Sequence, residues 1–208
     1  MKLKYLTYTA ALASVALFAA CEDMDTMPEG STVTEQQKQE IKEQDPSKSK
    51  ASVSGVFMSF SAYMPNESSI GSAHNDFGYP SVMLFTDCDG EDVVSTVTGY
   101  NWLSHSVRYT NRSVSSYIPQ VAWQDLYSYI FAANNIFAVT SEDTENSTEQ
   151  YSLASGHAVR AFAYFQLAQL FQFNIVGHED SPCVPIVTEE NAKDYLAKGG
   201  PRATVKEV

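Results

Sequence analysis

The sequence predicts an all-α fold, and three observations carry that expectation. From about residue 119 to 140, Trp123, Leu126, Tyr127, Ile130, Asn134 and Phe137 fall on one helical face at spacings of three and four. From 149 to about 173 the chain runs without proline and with one internal glycine. There Leu153, Gly156, His157, Arg160, Tyr164, Leu167 and Phe171 mark one stripe, and Ala154, Ala158, Ala161, Phe162, Phe165 and Ala168 the adjacent one. The third observation is the same spacing in two shorter segments that begin near Ser47 and Pro80. Two long amphipathic helices joined by the short polar loop 141–148 make an antiparallel helix hairpin.

The amino end carries a signal of its own. Lys2 and Lys4 precede an uncharged run from Tyr5 to Ala20 that ends in small residues directly before Cys21. A basic start, an apolar middle and a small-residue junction describe a secretory signal over residues 1–20. The run is too short and too rich in Thr and Ala for a transmembrane helix, which takes about 20 mostly apolar residues. Leu17-Phe18-Ala19-Ala20-Cys21 resembles a bacterial lipobox, with Phe18 at the place where the lipobox has Leu. Cys21 is therefore expected to become the first residue and to carry lipid on its sulfur. One acyl chain holds a protein marginally and two or more hold it stably, so a diacylated Cys21 tethers a water-exposed body to a membrane.

Residues 21–46 are polar and acidic and read as that tether, with one short helix around Glu35 to Glu43. Residues 47–208 read as the helical domain. Its first helix carries Val53, Val56, Phe57, Phe60 and Met64 and ends at Pro65-Asn66. Residues 70–78 form a loop rich in Gly, Ser and Asn. A second helix opens at Pro80, where proline is tolerated, and buries Val82, Met83 and Phe85. Residues 96–116, rich in Thr, Ser, Tyr and Asn, read as a long ordered loop. After the hairpin, Pro182 to Val187 is extended, Gly199-Gly200-Pro201 is a turn, and Ala203 to Val208 starts another helix with Thr204 as its cap. That start leads us to expect a truncated product or a fragment of a longer reading frame.

Composition excludes several function classes. A net charge of −12 argues against nucleic acid and against electrostatic docking on anionic lipid. Apolar residues at 44% fit a folded body. With Cys21 lipidated, Cys88 and Cys183 are the remaining pair; export permits a disulfide between them, and two free thiols is the favoured reading. His74, His105, His157 and His178 lack the i, i+4 spacing of a helical zinc motif. Asp87, Asp89, Glu91 and Asp92 crowd one turn; calcium is the functional reading and a solvated acidic helix end the favoured one. No glycine-rich phosphate loop or Gly-x-Ser-x-Gly element occurs. No cofactor and no catalytic residue is expected.

Aromatic side chains are the ligand-relevant resource, because sugar rings offer apolar faces to Trp and Tyr and hydroxyls to polar groups. Trp102, with Tyr100, Tyr109 and Tyr117, sits in the polar stretch and is the candidate ligand-binding platform. Trp123 and Tyr127 lie on an apolar stripe and are assigned to the core.

With the helices placed, Trp123-Gln124-Asp125-Leu126-Tyr127 followed by Ile130, Ala133-Asn134 and Ile136 resembles the first repeat helix of the SusD/RagB family. Gly156-His157-Ala158-Val159-Arg160-Ala161-Phe162-Ala163-Tyr164-Phe165, then Leu167-Ala168-Gln169-Leu170-Phe171, resembles its partner helix. Pro182 to Pro185 and Pro201 to Val208 resemble the approach to the next helix. The resemblance runs from Cys21 to Val208 and covers the N-terminal portion of the family's usual length. It implies a tetratricopeptide-like helical repeat cut off after its first pair. It also implies a surface lipoprotein of the Bacteroidetes outer membrane that is not an enzyme. Such a protein captures oligosaccharides or other nutrients and delivers them to a TonB-dependent, SusC-like barrel transporter. Most of the family's ligand-contacting region would lie beyond Val208, so the chain by itself is expected to bind ligand poorly. The alternative is a lipid-anchored helical scaffold that binds a protein partner and no nutrient. Arg160, set among apolar neighbours, is expected to satisfy carbonyls or a carboxylate.

Overall fold

The computed structural model describes residues 37, 40, 41, 44, 45, 49–63, 76–90, 93, 94 and 103–208. The chain divides into units Met1–Thr34 and Glu35–Val208, and every described residue belongs to the second. Six helices are traced there: α1 Ser49–Ser59, α2 Tyr79–Asp89, α3 Ser104–Val107, α4 Tyr117–Phe137, α5 Ser147–Phe171 and α6 Ala192–Lys198. Gln37, Glu40, Ile41 and Gln44 are also helical. One isolated antiparallel bridge, between Pro182 and Thr204, is the β-structure among the described residues.

The α4–α5 hairpin forms as its periodicity predicts. Pro119 lies in the first turn of α4, where backbone N–H groups have no partner within the helix, so its missing donor costs nothing. Asn146 caps α5: its Oδ1 accepts from the N–H of Thr148 at 2.9 Å and of Glu149 at 3.4 Å. Leu126, Ile130, Ala133 and Phe137 of α4 pack with Leu153, Val159, Ala163 and Leu167 of α5 in one buried core.

Helix α1 lays Val53 and Val56 into the same core, against both hairpin helices. Phe60 follows it and stacks on Tyr129, ring centroids 4.1 Å apart and 9° from parallel. Tyr79, which opens α2, closes edge-on against Phe162 at 5.0 Å. The chain enters α2 through Gly78 at φ +79, where a Cβ would stand 2.5 Å from the Phe60 carbonyl oxygen. Only glycine fits that conformation and that approach. Helix α2 then packs on α4 and α3.

Several expectations are corrected. Met83 is half exposed at 49%, while Val82 and Phe85 are buried as expected. The α-helix of the run extrapolated to Met64 ends at Ser59, after which the N–H groups of Phe60, Ser61 and Ala62 bond carbonyls three residues back; Met64 and Pro65 lie outside the described residues. The 96–116 stretch contains the helical turn α3, with Ser104, Ser106 and Asn111 buried and Asn111 Nδ2 donating to Ser106 Oγ at 3.3 Å. On α5, Ala154, Ala158, Ala161 and Phe165 are exposed, and Val159 and Ala163 are buried in their stead. Both faces of α5 are rich in apolar residues, so periodicity alone does not select the one that α4 covers. Helix α6 was not expected.

The last residues make the predicted cap. Thr204 N–H donates to Glu207 Oε2 at 2.8 Å, and Glu207 N–H donates back to Thr204 Oγ1 at 3.3 Å. This is a capping box. Val205 and Val208 pack, partly buried, against the core. Cys88 and Cys183 are free and buried.

Candidate functional site

Beyond α5 the chain doubles back over the hairpin as a strap, fastened by side chains that reach its backbone. Tyr127 Oη donates to Pro185 O at 2.7 Å, and Asn134 Nδ2 donates to Val187 O at 2.9 Å. Tyr164 Oη donates to Val187 O at 3.1 Å and accepts from Val187 N–H at 2.7 Å. Burial pushes the Tyr127 and Tyr164 phenols above their ordinary value; the hydrogen bond from Val187 and the charge of Arg160 partly oppose it at Tyr164. Arg160 extends this seam: Nη1 reaches Glu189 Oε2 at 2.9 Å and Asn134 Oδ1 at 3.2 Å. Its guanidinium lies 4.1 Å from the Phe137 ring centroid. Arg160 thus meets a carboxylate, an amide and an aromatic face, and acts as a structural clamp.

The strap also sets Arg202. Around the Pro182–Thr204 bridge, Cys183 N–H donates to Ala203 O at 2.6 Å and Ala203 N–H to Val184 O at 3.0 Å. Arg202 binds across this pairing, with Nε donating to Cys183 O and Nη2 to Pro182 O at 2.8 Å. Gln172, just past α5, donates to the same Pro182 carbonyl at 2.7 Å.

These elements enclose a cleft of about 530 Å³, whose walls include Trp123 and Phe171, with Gln120, Gln124, Arg112 and Arg202 supplying polar groups. Gln120, Trp123 and Gln124 share one face of α4 through their i, i+3, i+4 spacing. Trp123 meets Phe171 edge-on at 5.0 Å and 90° and leans on Tyr127 at 4.8 Å. Gln124 Oε1 is buried with no hydrogen-bond partner among the described residues. A recess of about 290 Å³ shares Arg112, Pro119 and Phe171 with the cleft and adds Asn111 and Asp89. Arg112 stands between the two, 3.6 Å from Asp89 Oδ1 and 4.2 Å over the Tyr109 ring. An aromatic wall, two amides and two guanidiniums line this cleft.

The described residues bring together no group of three metal-ligating side chains. His105 bonds Thr110, His157 pairs with Glu142 at 3.3 Å, and His178 bonds the Asn174 carbonyl. Asp89 of the acidic turn pairs with Arg112, in keeping with a helix end; Glu91 and Asp92 lie outside the described residues. Cys21, His74, Tyr100 and Trp102 also lie outside them. Tyr117 opens α4, and its phenol is pushed up by burial, then by the charges of Asp76 and Asp125. The residue is half-buried, and its hydroxyl oxygen is buried with no hydrogen-bond partner among the described residues. Trp123, assigned to the core, packs against the core and also lines the cleft. Arg112, Arg202 and the two glutamines were not expected. The Gln-x-x-Trp-Gln spacing beside the apolar stripe was the one local signal for them.

Residues 67–208, about two thirds of the chain, match the family SusD-like_3, described as starch-binding associating with outer membrane. The chain belongs to the SusD-like family. This all-helical architecture is that of a SusD-like, tetratricopeptide-type fold. The match takes in the hairpin, the strap, the whole cleft lining and the position of Trp102. No curated protein and no solved structure matches this SusD-like chain. Among the described residues, no helix is long and apolar enough to cross a membrane.

Proposed function

We propose that this SusD-like chain is a surface lipoprotein that captures oligosaccharides and passes them to a TonB-dependent barrel transporter. The family match carries the reading, because its description joins starch binding to the outer membrane. The cleft supports it with chemistry suited to a sugar. Trp123 and Phe171 offer apolar surface to C–H faces, while Gln120, Gln124 and Asn111 offer donors and acceptors to hydroxyls. The signal over residues 1–20 and Cys21 supply the route to the membrane and the anchor. No bond is made or broken in this activity; the chain binds and releases.

Affinity electrophoresis of the full chain through gels with and without soluble starch tests the binding step and registers weak interactions. Retardation that grows with polysaccharide concentration is the expected result. Equal mobility in starch and in a panel of other polysaccharides overturns the reading. Transfer is tested separately by purification of the tagged chain from its native membrane, with a β-barrel transporter as the expected companion.

A further inference from the structure

We propose that the cleft beside Trp123 selects saccharides bearing an anionic substituent, a carboxylate or a sulfate, over neutral ones; this rests on the glycan-binding reading above. The chain has 25 Asp and Glu against 13 Lys and Arg. Yet the larger cleft is lined by two arginines and no carboxylate. In an acidic molecule, that local reversal of sign gives an anion a place to settle.

Both guanidiniums are positioned, and neither is fully spent on the protein. Arg202 is held through Nε and Nη2 by the carbonyls of Cys183 and Pro182, which are neutral, so no carboxylate cancels its charge there. Its Nη1 has no acceptor among the described residues. Arg112 Nη2 donates to the Asp89 carbonyl at 3.4 Å and lies 3.6 Å from its Oδ1, while the side chain stays 52% exposed. A neutral sugar's hydroxyls are served by the amides of Gln120 and Gln124. A planar, always-charged fork is matched best by a carboxylate or sulfate, whose paired oxygens take two parallel N–H bonds. The Trp123 and Phe171 walls displace water around such a pair and strengthen it.

The test titrates the full chain with a galacturonic acid oligomer and with the same oligomer fully methyl-esterified, which differ in charge and little in shape. A malto-oligosaccharide and its sulfated form complete the set. The acid is expected to bind at least about tenfold more tightly than the ester, as one charge-assisted contact supplies. The gap should shrink with added salt. A gain for the sulfated malto-oligosaccharide over its parent supports sulfate as a second source of the charge. Arg112→Gln is expected to abolish most of the difference between acid and ester. Acid and ester binding equally overturns the anionic preference and leaves glycan binding standing. Failure of all four sugars to bind overturns the glycan reading itself. A preference that survives in both Arg112→Gln and Arg202→Gln overturns its placement in this cleft.

Discussion

The ring of Phe137 lies directly over Gly156, so that a Cβ added there would stand 2.9 Å from Cζ and 3.2 Å from Cε1. Arg160 holds the same ring at 4.1 Å and His157 at 4.6 Å, which leaves it little room to move aside. One hydrogen-sized side chain thus sets how closely α4 and α5 approach.

Gly156→Ala tests this contact against helix propensity, since alanine in a helix interior is favoured over glycine by about 1 kcal/mol. The overlap is expected to outweigh that gain, for a net loss of about 1 kcal/mol in urea denaturation. Phe137→Leu in the same chain should recover much of the loss, and the double-mutant cycle should show a coupling of about 1 kcal/mol.

Tyr164 serves both backbone groups of Val187 with a single hydroxyl. Tyr164→Phe leaves the Val187 N–H without its partner, while Asn134 still reaches the carbonyl. The expected cost is about 1–3 kcal/mol. Hydrogen exchange should show the Val187 amide losing protection more than amides in the middle of α5.

Burial raises the phenols of Tyr127, Tyr129 and Tyr164 above their ordinary value of 10. The folded chain therefore keeps protons that the unfolded chain gives up. This contribution is fully present below the unfolded value and is lost as pH rises beyond it. Urea midpoints should hold steady up to about pH 9 and fall above about pH 10. Tyr127→Phe should make that alkaline fall shallower, because one buried phenol no longer has to ionise.

The anchor reading rests on Cys21 and predicts a change of compartment. Cys21→Ala should move the chain from the membrane fraction to the soluble fraction and abolish incorporation of a labelled fatty acid. Membrane retention and labelling unchanged in the variant would contradict lipidation at this residue.

Much of the fold was legible, and the illegible parts have physical reasons. The hairpin declared itself because helices the length of α4 and α5 repeat their pattern over many turns. The four residues of α3 and the seven of α6 are too short to display a period. On α5, Ala163 and Ala161 are equally small, and only the position of α4 buries one and exposes the other. Trp123 was read as core because its spacing is that of the core, but a large side chain at a helix edge can serve an interior and a cleft together. Arg202 reached the site through backbone pairing after the Gly199-Gly200-Pro201 turn, a contact distant in sequence that no local pattern encodes. Trp102 and Cys21 lie outside the described residues and remain proposals drawn from sequence.

The central claim is that a glycan settles against Trp123. The chain has two tryptophans, so 5-fluorotryptophan labelling yields two fluorine resonances, which Trp102→Phe assigns. Titration with oligosaccharide is expected to shift the Trp123 signal in both the parent chain and that variant. A shift confined to Trp102 would move the site to the loop. If neither signal moves at saturating sugar, the cleft does not bind glycan, and the anchored scaffold becomes the better account.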